Sequence, residues 1–432
     1  MEILIAILAL SFLIIVHEFG HFIVAKLSGI KVLEFSLFMG PKLFSVQRGE
    51  TMYSVRLVPL GGFVRMEGEE QASDDARAFN RKPILTRAAV IAAGPIMNLI
   101  IAVLLFAIVF FANGYNTNIL GTVEDKSPAS AAGLRPNDKL LSYDGKKVYD
   151  IMDLTLFLYA SKGKPADIEV VRAGQTIKTA IVPDIYEEQT RYLLGFTPKA
   201  SEGQDSNVVA SVTAKSPAAG IGLKENDRIV RINNKAISTR LEINEYLNTN
   251  QSNPVVVTVV RDGKEITLGT ATPVSQKIPE QYILGVDFQS ARGGVGDVVK
   301  QAFVSSYSTT RQMYYSLLWL IQGKVSAKNM MGPVGIVSSI GEVVQQSPGI
   351  SYAILNLLKF TALISINLGV FNLIPFPALD GSKLLLLAVE GIRRRPIPPE
   401  KEAAITMVGF VLLIMLMIFT TSNDILRIFQ KG

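Results

Sequence analysis

The sequence predicts a polytopic α-helical membrane protein with four transmembrane helices, a membrane-associated β-sheet and a large β-rich region outside the bilayer. Three observations lead there. First, 49% of the 432 residues are hydrophobic and only 19% are charged. The mean hydropathy of +0.32 is more apolar than a soluble chain needs. Second, the apolar content is gathered into four blocks instead of being spread along the chain. Third, the long segment between the second and third blocks carries a pattern that occurs twice, the sign of a duplicated unit.

The blocks set the spans. Block one, Ile3 to Val24, places a first span within residues 1–28. A secretory signal peptide competes with that reading, but its basic n-region is missing and Glu2 is the sole early charge. Ala88 to Ala112 gives a second span at 88–113 and Tyr352 to Ile374 a third at 352–375. Ala403 to Thr421 gives a fourth at 402–422, followed by a tail at 423–432. Each span comes near the roughly 20 residues that cross ~30 Å of hydrocarbon. Leu384 to Val389 is too short to span.

Basic side chains orient the set. The first connection carries a series of bases from Lys26 to Arg87, and the connection at 376–401 carries Lys383 and Arg393-Arg394-Arg395. Both therefore belong in the cytoplasm, which leaves region 113–351 and both termini outside. The net charge of +6 follows from those connections. No basic stripe interleaved with aromatics points to nucleic acid. The absence of cysteine excludes thiolate ligands and disulfides.

Only two histidines occur, both in His17-Glu18-Phe19-Gly20-His21, inside the first apolar block. An acidic residue at the centre of a lipid-facing helix costs roughly 2.5–3.5 kcal/mol. Something must compensate it, and a metal ion can. Residues i and i+4 lie one helical turn apart on a single face, so His17 and His21 can share one Zn²⁺. Glu18 is placed to act as general base on water there. A chance or helix-capping pentad is the competing reading.

Two histidines leave a zinc site one protein ligand short of the usual three. With no cysteine and no further histidine, the third must be a carboxylate. Asp380 stands out, at the end of Asn372-Leu373-Ile374-Pro375-Phe376-Pro377-Ala378-Leu379-Asp380 on the cytoplasmic side of span three. The two prolines break the helix and let the chain present side chains to a polar cavity. A proline-rich helix exit with a solvated aspartate fits the same spacing.

In the outer region, Ser127 to Asp138 recurs as Ser216 to Asp227. Strand patterns follow at Lys139 to Tyr143 and Arg228 to Ile232, then the turn pairs Asp144-Gly145 and Asn233-Asn234. Tyr192 to Phe196 recurs as Tyr282 to Val286. Two units follow, 114–200 and 201–290. Their Ser-Pro-Ala pattern resembles bacterial PDZ domains. The resemblance implies a loop whose N–H groups hold a peptide carboxylate. Its candidates are Leu194, Gly195 and Phe196, and Leu284, Gly285 and Val286. That segment closes each unit instead of opening it, as in circularly permuted PDZ domains. Peptide binding and a size-filter or docking role both stand open.

Ile30 to Met66, within 29–87, alternates apolar and polar residues around Arg48-Gly49-Glu50, as hairpin strands in or near the membrane do. A soluble cytoplasmic β loop would alternate alike. Residues 291–351 hold an amphipathic stretch, Val299 to Ile321, with Arg311, Tyr314, Tyr315 and Trp319, then Gly332-Pro333-Val334-Gly335. It reads as an interfacial segment on the outer face, and a helix packed on the β units would look the same.

Together, the HEFGH pentad, Gly94-Pro95-Ile96-Met97-Asn98 in span two and the Asn372 to Gly381 motif resemble the site-2 protease family of intramembrane zinc metalloproteases. The paired units resemble its bacterial RseP type, with tandem PDZ domains. The resemblance covers essentially the whole chain. It implies one zinc per chain on His17, His21 and Asp380, with Glu18 as catalytic base and Asn372 engaging the substrate backbone. Asn98 would assist similarly or pack helices with Gly94. The membrane-associated sheet, which includes Gly61-Gly62-Phe63, would offer its edge to an unwound substrate. The resemblance also implies a bacterial inner-membrane location, periplasmic PDZ domains that exclude bulky substrates, and single-span membrane substrates such as an anti-sigma factor and remnant signal peptides. The rival from another class is a PDZ membrane scaffold with a vestigial metal site. A zinc transporter is disfavoured, because there is one ligand cluster and no polar path through spans two to four.

Overall fold

The computed structural model describes residues 2–69, 71–199, 206–213, 216–323, 330–345, 347 and 349–431. Among them, 4 helices are long and apolar enough to cross a membrane, at Ile3–Leu27, Ile84–Asn113, Ile350–Leu373 and Glu400–Arg427.

Helix α1 (Glu2–Leu27) leads into strands β1 (Val32–Arg48) and β2 (Thr51–Met66). Both strands bend on themselves. Phe35 pairs with Val64 on one side and Tyr53 on the other, and Tyr53 pairs in turn with Val46. The result is a four-ply sheet with 44–48 at one edge and 62–66 at the other. Glu34 is buried at its centre, accepting from Ser54 Oγ at 2.7 Å and Arg56 Nη2 at 2.8 Å, so the buried charge is paired and hydrogen-bonded. The far edge exposes the apolar side chains of Phe44 (74%) and Val46 (66%). Helix α2 (Ile84–Asn113) packs along α1, and their backbones approach so closely at Gly20 that a Cβ there would collide with the Ala93 carbonyl.

The outer region begins with β3 (Tyr115–Val123), α3 (Pro128–Ala131), β4 (Lys139–Tyr143), β5 (Lys146–Lys147), α4 (Ile151–Ser161), β6 (Ala166–Arg172) and β7 (Gln175–Ile181). The repeated Ser-Pro starts a one-turn helix because Ser127 caps the Ser130 N–H and proline suits the first helical position. The chain then runs out through β8 (Asp184–Tyr186) and β9 (Gln189–Leu193) into a second unit. That unit comprises β10 (Phe196–Pro198), β11 (Val209–Val212), α5 (Pro217–Gly220), β12 (Arg228–Ile232), β13 (Lys235–Ala236), α6 (Arg240–Asn250), β14 (Val255–Arg261) and β15 (Lys264–Ala271). It returns through β16 (Val274–Ile278) and β17 (Gln281–Ile283) to β18 (Val286–Ala291).

This corrects the sequential division into 114–200 and 201–290, whose boundary lies outside the described residues. The outgoing and returning strands pair antiparallel, β8 with β17 and β9 with β16. β18 pairs with β3, and Leu284 is buried in the first unit's core with Leu140 and Phe157. Leu194 lies in the other core with Ile229 and Val257. The second unit is therefore inserted into the first. Only the first is permuted; in the second, Leu194-Gly195-Phe196 comes at the start. The physical reason is register: Ala129 N–H donates to Leu284 O and Ala218 N–H to Leu194 O, so each loop is closed by its own Ser-Pro turn. The duplication is otherwise kept to the atom. Arg172 clamps Asp138 and the Gly133 carbonyl, while Arg261 clamps Asp227 and the Gly222 carbonyl.

Helix α7 (Val295–Ile321) bridges this region and the bundle, which adjusts the interfacial reading of 291–351. Ala302 packs in a cluster with Phe106 and Ile366, Arg311 pairs with Asp153 at 2.7 Å, and Trp319 enters the first unit's core. After α8 (Pro333–Gln345) come α9 (Ile350–Leu373), α10 (Asp380–Arg393) and α11 (Pro399–Lys431). The helix that carries the fourth span thus continues past residue 422 to Lys431, and residue 432 lies outside the described residues. Asp424 accounts for the continuation: it is 3% exposed and accepts from Gly332 N–H at 2.9 Å and Gly335 N–H at 2.7 Å. A carboxylate at the N-terminus of α8 satisfies donors that have no partner within that helix.

Candidate metal centre

The pentad lies wholly within α1, so its two imidazoles project from one face toward α2. His21 Nδ1 donates to the Val90 carbonyl at 2.8 Å. That fixes its tautomer and leaves Nε2 as a bare lone pair. His17 Nε2 lies 3.1 Å from His21 Nε2. Room for both rings comes from Gly94 of α2, where a Cβ would collide with His21 Nε2.

Asp380 arrives from the other end of the sequence. After α9 the chain turns through Pro375 and Pro377, Ala378 takes φ 74°, and Asp380 begins α10. Gly381 is required because a Cβ would strike the Ile374 carbonyl. The turn puts Asp380 Oδ2 3.1 Å from His17 Nε2 and 3.4 Å from His21 Nε2, with side-chain exposures of 18%, 9% and 12% for Asp380, His17 and His21. If all three atoms are bare lone pairs they repel at this distance, and a cation among them removes the repulsion. Oδ2 is buried without a hydrogen-bond donor. Ligands 2.0–2.1 Å from a tetrahedral zinc stand about 3.4 Å apart, so the trio fits that ion.

Glu18 Oε2 accepts from the Val64 N–H at 3.1 Å. The sheet edge 62–66 therefore faces α1, and Ser11 Oγ donates to the Pro59 carbonyl at 2.6 Å on the same side. Asn372 stands half-buried in the last turn of α9. Asn98, expected either to assist at the substrate or to pack helices with Gly94, is 0% exposed and its amide faces His17 Nδ1 at 3.2 Å. The loops at Leu194 to Phe196 and Leu284 to Val286 belong to the β units and not to this centre. Sequence reasoning missed Val64, Val90 and the spatial need for glycine at 20, and noted Gly94 for helix packing without its contact to the imidazoles. Backbone partners leave no trace in residue type, but small residues inside apolar spans are a usable signal of close helix approach. A cavity of about 1110 Å³ opens beside the centre, reaching from Val64 and Ala378 to Lys383, Glu390 and Glu402.

A helical membrane bundle that brings two imidazoles and a carboxylate together next to a half-buried glutamate defines a class, the membrane-integral metallohydrolases of HExxH type. The chain belongs to peptidase family M50, the site-2 proteases, whose model matches residues 5–416; it is a metalloprotease. Among its relatives, a candidate zinc metalloprotease of Clostridium perfringens is 31% identical over 99% of each chain. Zinc metalloprotease RasP of Geobacillus kaustophilus is 30% identical over 96% of each. Regulator of sigma-E protease RseP of Salmonella typhimurium is 30% identical over 98% of each. Among solved structures, HtrA-type protease AlgW with a decapeptide is 21% identical over 26% of this chain and 42% of that one, at a TM-score of 0.19. The HtrA3 PDZ domain with a phage-derived ligand covers 21% of this chain and 91% of that one, at 16% identity and a TM-score of 0.18. Scores that low carry no weight.

Proposed function

We propose that this chain is an intramembrane zinc metalloendopeptidase, holding one zinc on His17, His21 and Asp380 and cleaving single-span membrane proteins. The observation that supports it most is the meeting of those side chains, from opposite ends of the chain, at 3.1–3.4 Å. Zinc, when bound, supplies Lewis-acid polarisation and makes water nucleophilic near neutral pH. Glu18 takes the proton of the attacking water on a carboxylate oxygen and delivers it to the leaving amine. Asn372 holds the substrate backbone beside the scissile bond. The 62–66 edge pairs with the unwound substrate once it parts from Ser11 and Glu18.

We read the two β units as PDZ domains on the periplasmic side of a bacterial inner membrane, with both termini on that side and the metal centre toward the cytoplasm. Supporting the PDZ reading, the Gly195 carbonyl is taken by Thr213 N–H and Ser216 Oγ and the Gly285 carbonyl by Glu124 N–H. Such anchoring of the loop carbonyls is what a loop offering its N–H groups to a ligand carboxylate would need. Placed outside, the pair admits substrates already trimmed of bulky domains. The Salmonella relative's name favours an anti-sigma factor as one substrate, with remnant signal peptides as another.

The test is zinc stoichiometry and cleavage of a single-span reporter by detergent-purified wild type, Glu18→Gln and Asp380→Ala. Glu18→Gln should keep about one zinc per chain and lose cleavage, and Asp380→Ala should lose both. Reporter cleavage by Glu18→Gln at the wild-type rate would overturn the reading, and no cleavage by any of the three would favour a membrane scaffold.

A further inference from the structure

We infer that Asn98 is a positioning residue for the metal centre: its side-chain oxygen accepts the His17 Nδ1 proton and so holds His17 in the tautomer whose Nε2 can ligate. The inference rests on the zinc reading above and asks how His17 is prepared for it.

The two imidazoles are held differently. His21 Nδ1 faces the Val90 carbonyl, which can only accept, so the His21 proton sits on Nδ1 whatever else happens. His17 has no such carbonyl. Its Nδ1 faces the Asn98 amide at 3.2 Å, a group that presents either NH₂ or oxygen after a half-turn of the same planar shape. With NH₂ toward the ring, Nδ1 accepts and the His17 proton moves to Nε2, pointing at Asp380 and closing the site to a cation. With oxygen toward the ring, Nδ1 donates and Nε2 is bare, like that of His21. Only the second state gives two imidazole lone pairs and a carboxylate facing one point.

The second state also gives the buried amide oxygen its partner. Asn98 is 0% exposed, and with NH₂ on the ring its Oδ1 has no hydrogen-bond partner. The residue itself is fixed: Ser365 Oγ of α9 donates to its backbone carbonyl at 2.7 Å, which ties the α2–α9 contact to His17. Complete burial against the ring separates this role from a substrate contact. A packing role alone would need no polar atom there.

The experiment uses full-length protein in detergent and reads zinc affinity by chelator competition, with the visible spectrum of the cobalt(II) form as a second readout. Asn98→Leu, close in shape but with no acceptor, should bind zinc about 10- to 100-fold more weakly and give an altered cobalt spectrum. Asn98→Asp, which presents an acceptor in either orientation, should restore affinity to within about threefold of wild type. If Asn98→Leu does not fold, Asn98→Ser, too short to reach the ring, replaces it in the comparison. Wild-type affinity in Asn98→Leu would overturn the inference, as would Asn98→Asp binding as weakly as Asn98→Leu. Zinc-free wild type would instead overturn the metalloprotease reading beneath it.

Discussion

Replacing Gly94 by alanine adds one methyl group at the position where two helices and two imidazoles converge. Built on the present backbone, that carbon lies 2.6 Å from His21 Cε1 and 2.8 Å from His17 Nε2, well inside van der Waals contact. Neither ring can yield freely. His21 is tied to the Val90 carbonyl, and α2 cannot retreat without losing its approach to Gly20. Overpacking of this kind costs about 1–3 kcal/mol, and rotating His21 away forfeits about 1 kcal/mol of hydrogen bonding. The sum, about 2–4 kcal/mol, falls on the conformation that gathers the ligands and corresponds to roughly 30- to 1000-fold in metal affinity. Zinc competition on purified Gly94→Ala should show that loss, whereas Ile96→Ala, on the exposed side of α2, should not. Wild-type zinc affinity in Gly94→Ala, with the helical content unchanged, would refute the geometry of the centre.

Three further expectations follow from other parts of the molecule. The Asp138 carboxyl is held below its ordinary range by the Arg172 hydrogen bond; for Asp227, burial pushes upward but the Arg261 and Lys224 N–H bonds outweigh it. Both carboxyls then contribute stability that is complete above the unfolded value of about 3.8 and is lost as pH falls through the lower folded values. Asp138→Asn should therefore destabilise the first β unit at neutral pH by about 3 kcal/mol and flatten its acid limb, as read by hydrogen exchange across a urea series. Asp424→Ala removes an acceptor shared by two backbone donors and should raise exchange at the start of α8 by about tenfold or more with zinc still bound. Val46→Asp puts a charge on the exposed apolar sheet edge and should lower labelling of residues 43–47 by a lipid-phase probe; unchanged labelling would mean this edge is not in the bilayer.

Much of the centre was legible in the residues. The pentad's helical spacing made His17 and His21 partners, and exclusion of every other ligand type left a carboxylate, for which Asp380 stood out by its place after span three, with a solvated aspartate fitting the same spacing. Span positions followed from apolar length alone. The nesting of the β units was hidden for a physical reason: the repeat shows that Leu194 and Leu284 are equivalent, but not which core each fills. That depends on strand pairing between residues as distant as Tyr115 and Ala291. The helical turns beyond residue 422 were not legible because the apolar block stops at Thr421, while the contact of Asp424 with Gly332 and Gly335 that holds an aspartate inside the helix is tertiary. Asn98 was recognised as important, while its partner, a ring nitrogen on another helix, has no signature along the chain.

The interleaved course of the chain decides where it can be cut. A truncation at residue 200 would detach the second unit from the loop that opens it and deprive the first of the strand that completes its sheet, ruining both. Excision between Tyr186 and Gln281, which pair across the stem, removes a whole module where its two legs already lie side by side. Engineering, limited proteolysis and the exchange of specificity modules between relatives should respect that stem and disregard the linear repeat boundary.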